Sequence, residues 1–411
     1  MFFVLLWMLV WGGMFTGPYN LEMPKFTASA FDVFQGLRAL LPILALYLSV
    51  IWLLFKKPKI NILKTPLAFF LAYGLTGIIT SLFLSVSAVE SLYWAGVYIS
   101  AVCVVWCAFE SARPRDSLRT IINMNYAIFI FIAMSFIPEA VRVFLGRESF
   151  SSYYLLFFGL GEVTKNGVGR FALVALIVFF VRFMTVSGWK KYLWFLGIVP
   201  LGFLVMITQS RTALLGLAIV VATFIMLWGV DWRYLFFAPA GAYVLWTSGI
   251  KWRSQGSIEQ LLSLTGRETT WQKGLAQIEH SPFFGWGFNA DRILLRFEHM
   301  HNSILQALIQ TGIIGCFFFC AGFFWFWWEL IASGLVRKTK RLVGTEKAFV
   351  MESILIVAFL TARSFFESTA AFFGVDLLLL LPSMAYVILT VREKGDWPKE
   401  TAEEDGVPCA Y

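Results

Sequence analysis

Charge is scarce in this 411-residue chain: Asp, Glu, Lys and Arg supply 14% of it and 59% is hydrophobic, whereas ordinary soluble domains are about 25% charged. That imbalance excludes a soluble globular protein, because too few polar side chains remain to clothe a water-facing surface. Cysteine numbers five. Cys103 with Cys107, and Cys316 with Cys320, sit four apart in apolar runs, where they read as small buried hydrophobes; Cys409 lies in a polar tail. No cysteine falls between 251 and 302, so disulfide stapling of the one long polar segment is excluded. The three histidines, His280, His299 and His301, have no clustered Asp or Cys beside them. His299 and His301, if helical, would point about 200° apart, so no metal site and no other cofactor is expected. Internal repeats and low-complexity tracts are absent. A basic, aromatic-interleaved soluble module is also lacking, so the net charge of +8 does not point to nucleic acid.

What is present is a succession of apolar runs near the roughly 20 residues that cross a bilayer. About twelve can be read, at 2–16, 37–55, 66–84, 90–110, 120–142, 167–186, 192–208, 212–230, 234–250, 303–330, 348–366 and 374–391. The first lacks a charged leading region and reads as a span rather than a cleaved signal. The expected fold is therefore all-α and polytopic. It divides into helices 1–9 over 1–250, a long loop at 251–302, helices 10–12 over 303–391, and a polar tail at 392–411. Cationic loops stay in the cytoplasm. Lys56-Lys57-Pro58-Lys59, Arg113-Pro114-Arg115, Lys190-Lys191 and Arg337-Lys338-Thr339-Lys340-Arg341 all fall on one side if the spans alternate. Both termini are then cytoplasmic, and the 251–302 loop faces outward as a polar lid that Gly285 and Gly287 would let bend.

Ionisable groups at span ends are functional candidates by default. Arg211, in Ser210-Arg211-Thr212, and Arg170, in Lys165-Asn166-Gly167-Val168-Gly169-Arg170, lie at expected outer ends, with Arg267 in the loop and His301-Asn302 where the loop enters the next helix. The cytoplasmic bias of cations should deplete this face, so those that remain call for a ligand or a carboxylate partner. Glu162 and Glu139 are candidate partners for Arg170. Arginine offers a planar fork matched to phosphate or carboxylate oxygens. A plainer reading of His301-Asn302 is a helix cap. Trp271, Trp286 and Phe288 suit sugar faces or membrane-interface anchoring.

Several of these elements resemble the bacterial O-antigen ligase and polymerase superfamily. His301, Asn302, Gly312 and Gly315 match its signature of histidine, then Asn, Ser or Gln, then nine residues, glycine, two residues and a small or aromatic one. Ser210-Arg211-Thr212, Gly266-Arg267 and the turn from Pro282 to Gly287 look like its other recurring elements. The resemblance covers roughly 165 to 315. It implies a twelve-span protein of the bacterial inner membrane with a periplasmic catalytic loop. The implied reaction is metal-independent, inverting glycosyl transfer from an undecaprenyl-pyrophosphate-linked glycan.

In the ligase the acceptor is a sugar hydroxyl of lipid A-core, in lipopolysaccharide biosynthesis. In the polymerase it is another lipid-linked glycan, and in a third relative a protein hydroxyl. The expected catalytic set is His301, Arg267 and Arg211, with Arg170, Lys165, Asn302, Trp271 and Trp286 binding substrate. Cations would stabilise the leaving pyrophosphate and a neutral imidazole would accept the hydroxyl proton; Glu298 and Glu162 are alternative bases. Membrane lipids complete the expected partners. The competing class, a lipid-linked glycan transporter or flippase, should show repeated halves and ionisable groups near the membrane midplane, whereas the notable charges here gather at one rim.

Overall fold

The computed structural model describes residues 2–15, 37–56, 61–146, 153–155, 160–229, 267–296, 298–340 and 342–392. Among them lie helices α1 (Phe2–Gly12), α2 (Leu41–Lys56), α3 (Leu67–Phe83), α4 (Ala88–Phe109), α5 (Pro114–Ser135), α6 (Ile137–Gly146), α7 (Lys165–Thr185), α8 (Lys190–Ile207) and α9 (Arg211–Trp228). They continue with α10 (Arg267–His280), α11 (Ala290–Leu294), α12 (Ser303–Ala332), α13 (Leu335–Thr339), α14 (Gly344–Arg363) and α15 (Val375–Arg392). The all-helical architecture is as expected, apart from one short antiparallel hairpin that pairs β1 (Tyr153–Leu155) with β2 (Leu160–Val163).

Each expected span coincides with helix except 234–250, which lies outside the described residues. Eight helical stretches are long and apolar enough to cross a membrane, and α1 and α3 are apolar but shorter. The chain is a multi-pass membrane protein. Large apolar side chains remain on the outside of the bundle, among them Leu54, Phe83, Leu196, Met226, Phe324 and Trp328. Such a surface suits hydrocarbon, which needs no polar cover.

The core is built from α4, α14 and α15, which bury most of their residues. Buried polar groups inside it favour partners, since a bilayer offers no water to replace them. Asn125 of α5 accepts hydrogen bonds from Trp7 Nε1 at 2.7 Å and Trp11 Nε1 at 2.8 Å, and donates to Leu378 O at 2.8 Å. One asparagine thereby ties α1, α5 and α15 together.

Helix α12 breaks at Gly312, whose φ of 62° and ψ of −165° lie outside the helical region. A break leaves backbone donors and acceptors unpaired, a large cost in an apolar setting. Here the 282–287 turn supplies the partners. Ile313 N donates to Pro282 O at 2.8 Å, Trp286 N to Ile309 O at 2.9 Å, and Gly287 N to Gln310 O at 2.8 Å. The fit demands glycine on both sides: a Cβ on Gly285 would meet Thr311 N at 2.5 Å, and one on Gly312 would strike the Phe283 backbone. These glycines lock the loop onto α12, so the expectation that Gly285 and Gly287 serve a bending lid gives way to a fixed joint. In its described part the loop is folded structure, with α10 and α11 packed on α12 around Ile278, Ala290, Leu295, Met300 and Ile309.

Candidate active site

Three long helices start at one place. Thr164 caps α7, accepting from Gly167 N at 3.4 Å. Ser210 caps α9, accepting from Ala213 N at 3.3 Å. Asn302 caps α12, accepting from Ile304 N at 2.9 Å and Leu305 N at 3.0 Å. Hydroxyl and amide side chains at these positions satisfy the free N–H groups of a first turn, which is why the sequence starts helices there. Gln209 and His301, the residues before two of these caps, both have φ of 47°, a left-handed conformation that a non-glycine residue adopts at some cost.

The convergence centres on Glu367, in the connector between α14 and α15. Its Oε2 lies 2.9 Å from His301 Nδ1. Its Oε1 accepts from Arg267 Nη2 at 3.1 Å and Asn166 Nδ2 at 3.4 Å. Arg267 also donates to Phe366 O at 2.5 Å. Ser210 Oγ donates to Asn166 Oδ1 at 3.1 Å, which joins the start of α9 to the same group. Ser303 Oγ reaches Glu367 O at 2.9 Å and Thr369 O at 2.8 Å. Arg211 follows the Ser210 cap directly as the first residue of α9, with an exposed side chain. Lys165 likewise opens α7, beside Asn166.

Burial opposes ionisation of Glu367, but the hydrogen bond from His301 and the charges of Arg363, His301 and Arg267 prevail and hold its carboxyl at about 2. An ionised carboxylate only accepts hydrogen bonds, so the proton of a neutral His301 resides on Nδ1. Its Nε2 lone pair is then open, an arrangement in which one partner fixes tautomer and ring orientation.

One layer deeper lies a second ionic group. Asp376, buried at the start of α15, accepts from Arg170 Nη1 at 3.1 Å through Oδ1, and from Arg363 Nε at 3.1 Å through Oδ2. Arg363 Nη1 also donates to Thr212 Oγ1 at 3.2 Å, linking this group back to Ser210-Arg211-Thr212. Arg170 is thus neutralised by Asp376. Of the expected partners, Glu139 pairs instead with Arg142 at 2.9 Å, and the side chain of Glu162 lies outside the described residues.

The other expected residues are variously engaged. Asn302 spends its amide on the cap and on a donation to Phe365 O at 3.0 Å. Trp271 Nε1 donates to Met300 O at 2.5 Å and Trp286 Nε1 to Gln277 O at 2.8 Å. Both indoles therefore have structural duties, and Phe288 is wholly buried. Glu298 pairs with Lys273 at 2.8 Å. His299 and His301 lie in irregular chain rather than on a helix, and their rings approach to 5.8 Å between centroids, which corrects the assumption that they diverge. Among the described residues, no three His, Cys, Asp or Glu side chains are grouped to hold a metal ion.

Glu367, Arg363 and Asp376 were not among the expected site residues. A signal was available: the rule that outer-face charges need partners flags Arg363, near the end of the 348–366 run, and Glu367, just beyond it, on the same side as Arg211.

The family model described as O-antigen ligase matches residues 196–320, a stretch that contains Arg211, Arg267, His301, Gly312 and Gly315. That match includes the stretch that carries the histidine–glycine signature. It is also 24% identical to the exopolysaccharide production protein ExoQ of Rhizobium meliloti (strain 1021), over 55% of this chain and 62% of that protein. The match thus spans under two thirds of the relative's length. Glu367 and the Arg170–Asp376–Arg363 group lie outside the family-model match.

Proposed function

We propose that this protein is a glycosyltransferase of the O-antigen ligase type, moving glycan from an undecaprenyl-pyrophosphate carrier to a sugar hydroxyl of lipid A-core. The observation that carries the reading is the meeting of three capped helix starts, the start of α10 and Arg267 around the carboxylate that also orients His301. Helix N-termini present positive ends and free N–H groups to anions, and arginine forks match phosphate oxygens.

In the proposed reaction the acceptor hydroxyl gives its proton to His301 Nε2 while its oxygen bonds to the anomeric carbon of the donor. The bond from that carbon to the pyrophosphate oxygen breaks, and its electron pair leaves with the polyprenyl pyrophosphate. Arg211 and Arg267 stabilise the charge that grows there. Lys165 adds to the positive field, and Arg170 supports it from the layer beneath. Asn302, Trp271 and Trp286 shape the surroundings. No metal is required, and attack opposite the leaving group inverts the anomeric centre.

The site sits at one end of the bundle. The opposite end holds Arg182 with Glu352 at 2.8 Å and Arg392 with Glu329 at 2.9 Å, together with the described cations Arg113, Arg115, Lys190, Lys191, Arg337 and Lys338. By the bias of cations toward the cytoplasm, we assign the site to the periplasmic face of a bacterial inner membrane, with both termini inside. That depth suits a lipid carrier, whose pyrophosphate rides among the headgroups.

A second reading, polymerisation onto another lipid-linked glycan, is favoured by the relative named for exopolysaccharide production. Purified protein incubated with lipid-linked glycan, with and without lipid A-core, separates the readings. Glycan joined covalently to core supports the ligase, and chain growth without core supports the polymerase. Unchanged donor moved between leaflets of a vesicle, with no new bond, would leave a transporter instead.

A further inference from the structure

His301 is not the only imidazole here backed by a buried carboxylate. Asp291 of α11 is 1% exposed, and its Oδ2 lies 3.6 Å from His299 Nδ1. Neither of its oxygens makes a close hydrogen bond to the described residues. Burial disfavours its charge, but His299, Gln306 and Arg292 outweigh that and hold the carboxyl below its ordinary range. The enclosed charge attracts the neighbouring His299 ring at 3.6 Å without a hydrogen bond, and that side chain remains 36% exposed.

A groove opens alongside, lined by Trp94, Phe288, Asn289, Arg292, Phe372 and Phe373. The guanidinium of Arg292 sits 5.8 Å from the Phe372 ring centre. Asn289 is steadied by donating to Glu90 Oε1 at 2.8 Å. The His299 ring stands 6.3 Å from Phe372 and 5.8 Å from His301. Contacts therefore run in order from Arg267 through Glu367, His301, His299 and Phe372 to Arg292. The groove is reached from His301 through His299, not through Glu367, where the cations and helix starts gather.

From this order we infer that the groove is a subsite for the acceptor sugar, with His299 holding a hydroxyl adjacent to the one His301 deprotonates. The inference rests on the glycosyltransferase reading. Aromatic rings with a few fixed polar groups are the make-up of a small polar ligand's site. Phe372 offers a face to the C–H side of a sugar ring, and Arg292, Asn289 and His299 offer hydrogen bonds around its edge. The occupant is the acceptor rather than the donor because the hydroxyl touching His301 carries its own ring past His301, away from the pyrophosphate.

The test uses the full-length protein and the variants Phe372→Ala, Arg292→Ala, His299→Gln and Asp291→Asn. The acceptor is whichever of lipid A-core or lipid-linked glycan the wild type glycosylates. Loss of one stacking or hydrogen-bonding partner should raise acceptor KM by about tenfold and leave donor KM within about twofold. Asp291→Asn should follow His299→Gln in this split, which a general loosening of the fold would not produce. An unchanged acceptor KM in Phe372→Ala and His299→Gln, or an equal rise in donor KM, overturns the subsite.

A binding measurement separates this from failure of the glycosyltransferase reading. Saturation-transfer NMR is run with two free probes, core oligosaccharide released from lipid A and the repeat-unit oligosaccharide released from its carrier. Wild-type binding of either, lost in the variants, supports the subsite even where no transfer is seen. Binding of neither probe, or equal binding by the variants, counts against it.

Discussion

Glu367 Oε2 and His301 Nδ1 lie 2.9 Å apart although 66 residues separate them in sequence. The same carboxylate holds Arg267, so one buried anion sets the position of both the proposed base and a proposed phosphate ligand. Replacing Glu367 by Gln keeps the shape but removes the charge and allows the wrong imidazole tautomer. We expect kcat to fall by about 10²-fold or more, within the range that positioned general-base catalysis contributes, with partial recovery in Glu367→Asp. A Glu367→Gln protein that inserts normally and transfers glycan at the wild-type rate would remove Glu367 from this role.

The Glu367 carboxyl titrates at about 2 in the folded protein, against an ordinary value near 4.3. A depressed carboxyl adds stability that is complete above the ordinary value and lost as pH falls toward and through the folded one. In thermal melts the gap between wild type and Glu367→Gln should shrink steadily as pH falls from about 5 toward 2. A gap that instead disappears on raising the pH from 5 to 8 contradicts the assignment.

Asp376 separates two arginines, Arg170 and Arg363, each 3.1 Å away. Asp376→Asn leaves both cations without their hydrogen-bonded carboxylate in a buried setting, which costs about 3–5 kcal/mol. Removing Arg170 as well, in Arg170→Met with Asp376→Asn, should restore part of the lost melting temperature. Two losses that simply add would show that the residues are not coupled.

Gly312→Ala and Gly285→Ala each place a methyl group against backbone at a positive φ. Strained φ and ψ cost about 1–3 kcal/mol before any clash is counted. Both variants should melt well below wild type, whereas Gly334→Ala, at a positive φ with open space around it, should lose much less. Equal melting of all three would mean that the loop-to-helix joint is not tight.

Arginine, rather than a divalent ion, is assigned the charge of the departing pyrophosphate. Transfer should therefore persist in excess EDTA and be lost in Arg211→Ala, Arg267→Ala and His301→Ala proteins that insert normally. Restoration of EDTA-treated protein by magnesium alone would place the electrophile on a metal.

Much of the architecture was legible in residue order because its causes are local. A run of about 20 apolar residues marks a span whatever surrounds it, and Asn302 marks a helix start because its side chain reaches N–H groups only two or three residues on. The positions of Arg211, Arg267 and His301 were legible for a related reason: charge at a span end stands out against apolar sequence. Their carboxylate was harder to find. Glu367 lies 100 residues from Arg267, and its place beyond a span end marks it as a charge in need of a partner without saying which one. Gly285 and Gly287 were misread for the same cause, since a glycine pair signals conformational freedom until the chain packed against it is seen.

Residue order by itself determined a multi-pass helical membrane protein, where its helices begin, and the histidine–glycine signature. It could do so because hydropathy and helix capping are decided within a few turns of chain. Tertiary structure alone decided which acid orients His301, which acid neutralises Arg170, and that a turn fills the break at Gly312. Those choices follow from burial: once packing excludes water, each charge and each free backbone group must find a partner, and the partner that satisfies it comes from a distant part of the chain.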